Sequence, residues 1–294
     1  MYSTQKVRIT MNSNIIEIRG LQKTYPGFQL GPWDLDIPQG AIVGLIGENG
    51  AGKSVTIKLI LELIYPEQGE IRIFGRRMGE DPVGIRDQLG VVFDELHLSS
   101  VLTVAQIQKI CRRMYRQWQD ATFDRYVRQF DLMPDKAVGD LSRGMKMKLS
   151  LAIALSHGAR LLLLDEATSG LDPVVREEIL DILLEFIQDE RRGVLISSHI
   201  LSDLEKAADY IAFIHEGRLI FMESKDLLQD EYVLCSCNSQ TAQTIDPAAI
   251  VGHRKNEFGE RLLLRKTLAP RSLELERPSI EDIMLFFIKG GQSQ

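Results

Sequence analysis

GENGAGKS, residues 47–54, follows the apolar run AIVGLI and opens the run VTIKLILELI. Its spacing fits G-x-x-x-x-G-K-[ST], and strand, glycine loop, helix is the context in which that spacing has a physical meaning. Gly47, Gly50 and Gly52 let successive backbone N–H groups turn inward together at the positive end of a helix, a cradle for phosphate oxygens. The cradle runs through Asn49, Gly50, Ala51, Gly52, Lys53, Ser54 and Val55. Lys53 supplies a cation for the β- and γ-phosphates, and the Ser54 hydroxyl a ligand for Mg²⁺. The helix behind it is predicted to bury Val55, Ile57, Leu59, Ile60, Leu63 and Ile64.

The 294 residues allow one main domain and a small appendage, at about 150 residues per domain. A net charge of −6 argues against general nucleic-acid binding, which needs a basic stripe to neutralise phosphates, and leaves room for a local basic site. Three cysteines without framework spacing fit a reducing compartment, and Cys235 and Cys237 read as alternate positions on a strand. The opening stretch MYSTQKVRITMNSN has no continuous apolar segment of the signal-peptide kind, and no run approaches the ~18 apolar residues of a membrane span. A cytosolic chain is expected, with any membrane role carried by a partner.

NIIEIRGLQKTY and FQLGPWDLDIPQG read as two short strands, and LLLLD (161–165) and GVLISS (193–198) as buried ones. A helical pattern separates the last two, an alternation that implies a parallel sheet. Between Leu102 and Asp140 a helical stripe of Ile107, Ile110, Cys111, Met114, Tyr115 and Trp118 is predicted. From about Ser224 short alternating strands take over, EYVLCSC and ERLLLRKT. Ser279 then caps a last helix with Ile280, Ile283, Met284, Phe287 and Ile288 on one face.

LLLLDE supplies a second chemical element. A carboxylate at the end of a buried strand beside a phosphate loop can hold magnesium, which assigns Asp165. Glu166 projects into the same cleft, where it can orient or deprotonate the water that attacks the γ-phosphate.

GENGAGKS, LSRGM (141–145), LLLLDEATSGLDP and ISSH, in that order, resemble the ATP-binding subunit of an ATP-binding cassette (ABC) transporter over roughly residues 14–222. The resemblance implies an α/β P-loop NTPase of ABC type, a RecA-like core with an antiparallel β subdomain and an α-helical subdomain. A nucleotide-binding domain at 14–223, its helical subdomain at about 95–145, would precede a small α+β extension at 224–294. It implies that the chain hydrolyses ATP with Mg²⁺. Tyr25 matches the aromatic that stacks on adenine. Ser142 and Gly144 match signature residues that meet the γ-phosphate held by a second subunit, so LSRGM completes a neighbour's site rather than its own. Ser169, Gly170, Leu171 and Asp172 match the loop along that dimer interface, and His199 the histidine that contacts the γ-phosphate.

Two positions depart from the family pattern. GVVFDE puts Asp94, with Glu95 adjacent, where the family has a glutamine touching magnesium or water, so Asp94 joins both the catalytic and the metal-ligand candidates. Arg143 stands where the signature has glycine, and its guanidinium either approaches the opposite phosphates or points to solvent.

Only 46 residues (95–140) separate Asp94 from Leu141, too few for the coiled coil of chromosome-type relatives, and there is one cassette, unlike the ribosome-acting ones. A transport motor remains, dimeric with itself or a similar subunit and bound to a membrane permease. The ending PSIEDIMLFFIKGG and the VVFDE segment resemble ATPases that serve ABC-2 type exporter permeases, which implies export of a peptide, antibiotic or lipid-like cargo. The alternative is a nucleotide-gated interaction module with little turnover. Phe93, Leu96, Leu98, Val101 and Leu102 are too apolar for a loop meant only for water: some pack the helical subdomain onto the core, and the set is otherwise expected to dock the permease, with Leu98 as an exposed member to charge.

Overall fold

The computed structural model describes residues 14–256, 259–270 and 272–289. The N-terminal stretch read for a signal segment lies outside them, Asn14 excepted. Strands β1 (Asn14–Tyr25) and β2 (Phe28–Pro38) are a long antiparallel hairpin turning at Gly27, where φ is 80°. Strand β3 (Ile42–Ile46) is buried at every residue, as a strand covered on both faces must be. It feeds helix α1 (Lys53–Ile60), which is shorter than its apolar pattern predicts. The chain leaves the helix where Glu62 takes φ 50°, and Leu63, expected inside, is 60 % exposed.

Strand β4 (Gln68–Ile73) returns to β1 and completes a sheet of order β2-β1-β4. Helix α2 (Pro82–Arg86), capped by Asp81, leads to β5 (Leu89–Val92). Two helices follow, α3 (Val104–Met114), started by a Thr103/Gln106 capping box, and α4 (Asp120–Gln129). The predicted stripe therefore breaks at Tyr115, which is extended. Ile107 and Cys111 are buried, whereas Ile110 and Met114 are exposed. The bend seats the Tyr115 ring on His157, centroids 4.0 Å apart, and lets the Trp118 indole N–H donate to Asp120.

Helix α5 (Arg143–Leu155), β6 (Leu161–Asp165), α6 (Pro173–Phe186), β7 (Gly193–Ser198), α7 (Leu201–Ala207), β8 (Tyr210–His215) and β9 (Arg218–Ser224) finish the central layer. Its six-stranded sheet has the order β5-β6-β7-β3-β8-β9, parallel except at the β9 edge. Side chains alternate across it with period two. Val43, Leu45, Leu161, Leu163 and Leu195 pack with α1 and the hairpin in one core. Ile42, Ile46, Leu162, Leu164, Val194 and Ile196 pack with α3 to α7 in the other.

Helix α8 (Lys225–Glu231), β10 (Tyr232–Cys237), α9 (Ser239–Thr244), β11 (Ile250–Asn256), β12 (Gly259–Arg265), β13 (Leu275–Glu276) and α10 (Ile280–Lys289) follow, with the strands in the order β11-β12-β10-β13. One face of this sheet, through Leu234 and Leu263, joins the main core together with Ile280, Ile283, Met284 and Phe286 of α10. Ser279 caps α10, accepting from the Asp282 N–H at 3.0 Å. Phe286 is the fully buried ring, and Phe287 and Ile288, expected on the buried face, are half-buried. The reason lies in β11: Gly252 has no side chain, and a Cβ there would stand 2.8 Å from Phe286.

Cys235 and Cys237 do alternate on β10. Burial, and then the neighbouring Cys237 thiol, pushes Cys235 up to about 11, and burial does the same to Cys111. Native alkylation by iodoacetamide at about pH 8, near the ordinary thiol range, should label Cys237 first and leave Cys111 and Cys235 unmodified. Fast labelling of Cys235, read by peptide mass, would contradict that burial.

In the 93–104 segment, Leu96, Leu98 and Leu102 are half-buried against the main core and Phe93 against the other. Leu98 is thus not the exposed member of the set. Val101, 78 % exposed, is.

Candidate active site

Strands β3, β6 and β7 are parallel neighbours, so their carboxyl ends open on one side of the sheet, where ligands bind in open α/β folds. The 47–54 loop leaves β3 there. Gly52 has φ 114°, and a Cβ on it would lie 2.5 Å from Leu30 on the hairpin. Gly47 is needed for closeness instead, since a Cβ would meet the Ile214 carbonyl oxygen at 2.3 Å.

Lys53 is 5 % exposed and donates to the Gly47 and Glu48 carbonyls at 2.8 and 3.2 Å. Its Nζ also lies 3.2 Å from Glu166 Oε1. Glu166 holds φ 52°, and its other oxygen is 2.6 Å from His199 Nδ1. Leu161, Leu163 and Asp165 share the face of β6 that looks toward α1, and the Ser54 hydroxyl donates to Asp165 Oδ1 at 3.0 Å. Loop, strand end and histidine, 30 to more than 100 residues apart in the chain, are brought into one cluster.

Tyr25 is half-exposed at the turn end of β1, paired with Phe28, whose ring lies beside Gly52. Ala51 is buried, Val55 half-buried, and Asn49 and Gly50 exposed. Ser142 sits at the head of α5, accepts from the Met145 N–H and is exposed, while Gly144 packs on Val175. Neither joins the Lys53 cluster. Asp94 is not hydrogen-bonded to Ser54 or Asp165 either. It lines a neighbouring cleft of about 440 Å³ with Phe93, Glu95, Leu96, Arg143 and Lys146. Arg143 is exposed there, and its guanidinium lies beside Gly170 of the same chain. Asp172 caps α6, accepting from the Val174 and Val175 N–H groups.

Ser197 is the residue that sequence reasoning passed over. Its hydroxyl donates to Asp165 Oδ1 at 2.6 Å and accepts from the Glu166 N–H at 3.1 Å. The signal was a serine where the strand pattern calls for an apolar residue.

The donors suit magnesium carried by a nucleotide. A hydroxyl and a carboxylate, both hard oxygens, stand together, and among the described residues no three His, Cys, Asp or Glu side chains gather to hold a metal. Mg²⁺ is commonly held in this way, by one or two protein oxygens plus substrate phosphates and waters. Also among the described residues, no helix is long and apolar enough to cross a membrane.

Residues 30–169 match the ABC transporter family. The chain is 34 % identical over 211 residues to the bacitracin transport ATP-binding protein BcrA of Bacillus licheniformis, covering 71 % of this chain and 69 % of that one. It is 33 % identical over 215 residues to the lantibiotic transport ATP-binding protein SrtF of Streptococcus pyogenes, 72 % of this chain and 92 % of the relative. A solved ATP-binding subunit of an ABC transporter superposes with a TM-score of 0.65 at 29 % identity, over 73 % of this chain and 92 % of that one. Likeness of that depth over most of each relative's length settles kinship, and the chain belongs to the ATP-binding subunits of ABC transporters, the ATPases of that family.

Proposed function

We propose that the chain is the motor of an exporter: two copies close on ATP and drive a separate ABC-2 type permease at the cytoplasmic face of the membrane. The cargo class is a peptide, antibiotic or lipid-like molecule. The observation that carries this is the meeting of Lys53, Glu166 and His199 beside the Ser54–Asp165 pair. Relatives named for bacitracin and lantibiotic transport support the cargo class.

In this reading the loop from Asn49 to Val55 holds the phosphates through its N–H groups, Lys53 neutralises them, and Tyr25 stacks on the base. Ser54 and Asp165 would hold Mg²⁺, with Asp94 as a further candidate ligand, and the bound ion would offset charge on the phosphates. Glu166 takes the proton of the attacking water, and His199 holds the Glu166 carboxylate on one side and the γ-phosphate on the other. Exposed Ser142 and half-buried Gly144, both outside their own chain's cluster, face the γ-phosphate of the second copy. Each copy carries both half-sites, so two identical copies complete two sites. Phosphate release by the purified chain reconstituted with its permease tests the function. Mg²⁺-dependent release that the permease stimulates is expected, and nucleotide binding without release would leave only a nucleotide-gated interaction module.

Permease docking is assigned to the 93–104 segment, beside the Asp94 cleft. Val101→Glu changes an exposed side chain, so ATP binding by the isolated chain should be unaltered while copurification with the permease is lost. Wild-type yield of the complex would place the docking face elsewhere.

A further inference from the structure

We propose that Ser197 is a positioning residue for hydrolysis, holding Asp165 against Ser54 and fixing the backbone from which Glu166 projects. Position comes first. In the parallel pairing of β6 with β7, Asp165 and Ser197 are register partners. Leu163 and Asp165 on one strand, and Leu195 and Ser197 on the next, thus stand in adjacent rows facing α1. Ser197 is fully buried, and a hydroxyl in an apolar row is costly unless its hydrogen bonds are made.

Both roles of the hydroxyl are used. Its single proton goes to Asp165 Oδ1 at 2.6 Å, and its oxygen receives the Glu166 N–H at 3.1 Å. The same N–H lies 3.1 Å from the Ser197 carbonyl oxygen. Asp165 Oδ1 therefore accepts two hydroxyls, Ser54 from α1 and Ser197 from β7, which fixes the rotation of the carboxylate. Glu166 keeps its left-handed φ of 52°, rarely adopted by a residue with a side chain, because its amide is anchored at that point. Ser198, next along, does a different job: it accepts from the Ile200 N–H at 2.9 Å in the turn toward α7.

One residue thus sets the direction of a metal-side carboxylate and of a water-side carboxylate. The proposal rests on the roles given above to Asp165 and Glu166. The test measures nucleotide affinity in Mg²⁺ and in EDTA, and kcat apart from KM, for Ser197→Ala, Ser197→Thr and Asp165→Asn. Ser197→Ala should bind ATP in EDTA as wild type does. It should lose on the order of tenfold of the Mg²⁺ enhancement, the worth of one hydrogen bond to a charged group, and lose kcat more than KM. Ser197→Thr, which restores the hydroxyl, should recover both. If the alanine variant does not fold, Ser197→Cys keeps the size with a weaker donor and should show the same split.

Wild-type Mg²⁺ dependence and kcat in Ser197→Ala would overturn the proposal. So would an equal loss of affinity in EDTA and in Mg²⁺, which marks packing alone. An Asp165→Asn variant that keeps its full Mg²⁺ enhancement would overturn the metal assignment itself and the Asp165 half of this proposal with it. A variant of Asp165 that loses the enhancement beside an unaffected Ser197→Ala sinks the Ser197 role only.

Discussion

Glu166→Gln is expected to bind ATP and hardly hydrolyse it. The Glu166 carboxylate lies between Lys53 Nζ at 3.2 Å and His199 Nδ1 at 2.6 Å, largely buried. The amide keeps the shape but cannot take a proton from water, and a positioned general base contributes about 10²- to 10⁴-fold. Turnover should fall by that order. Affinity for ATP should be equal or tighter, because Lys53 loses a competing anion. Phosphate release and equilibrium binding, measured on the same preparation, check both halves. Wild-type turnover would remove Glu166 from the mechanism.

Lys53→Ala should abolish tight nucleotide binding while the fold persists. Lys53 is the only side-chain cation of the 47–54 loop, 5 % exposed at the head of α1. Losing one charge-assisted donor to phosphate in a largely dry site costs about 3 kcal/mol, on the order of 100-fold in affinity. The helix itself is held by Thr56, Ile57, Leu59 and Ile60, all buried, so circular dichroism should be unchanged. Equal ATP affinity in variant and wild type would contradict the phosphate-loop assignment.

What could be read without coordinates was contiguous along the chain. The glycine loop, the unbroken apolar strand LLLLD and the 14-residue helix 173–186 each carry their signal within one continuous stretch. What was missed depends on a partner far away in sequence. The helix break at Tyr115 seats its ring on His157, and the missing side chain of Gly252 lets Phe286 be buried ahead of Phe287. Arg143 lies on Gly170, and no local pattern could place that contact. Ser197 shows the limit most clearly. ISSH was legible as a motif, but the register that sets Ser197 opposite Asp165 exists only once β6 and β7 pair.

In the proposed motor ATP is held between two copies, the loop of residues 47–54 in one facing Ser142 and Gly144 of the other. Light scattering of the Glu166→Gln chain tests it most directly, because the bridging ligand is not consumed and stabilises the assembly it binds. Twice the 33.3 kDa chain mass is expected with Mg·ATP and a single chain mass with Mg·ADP. A single chain mass with both nucleotides, under conditions where ATP is shown to be bound, would contradict it.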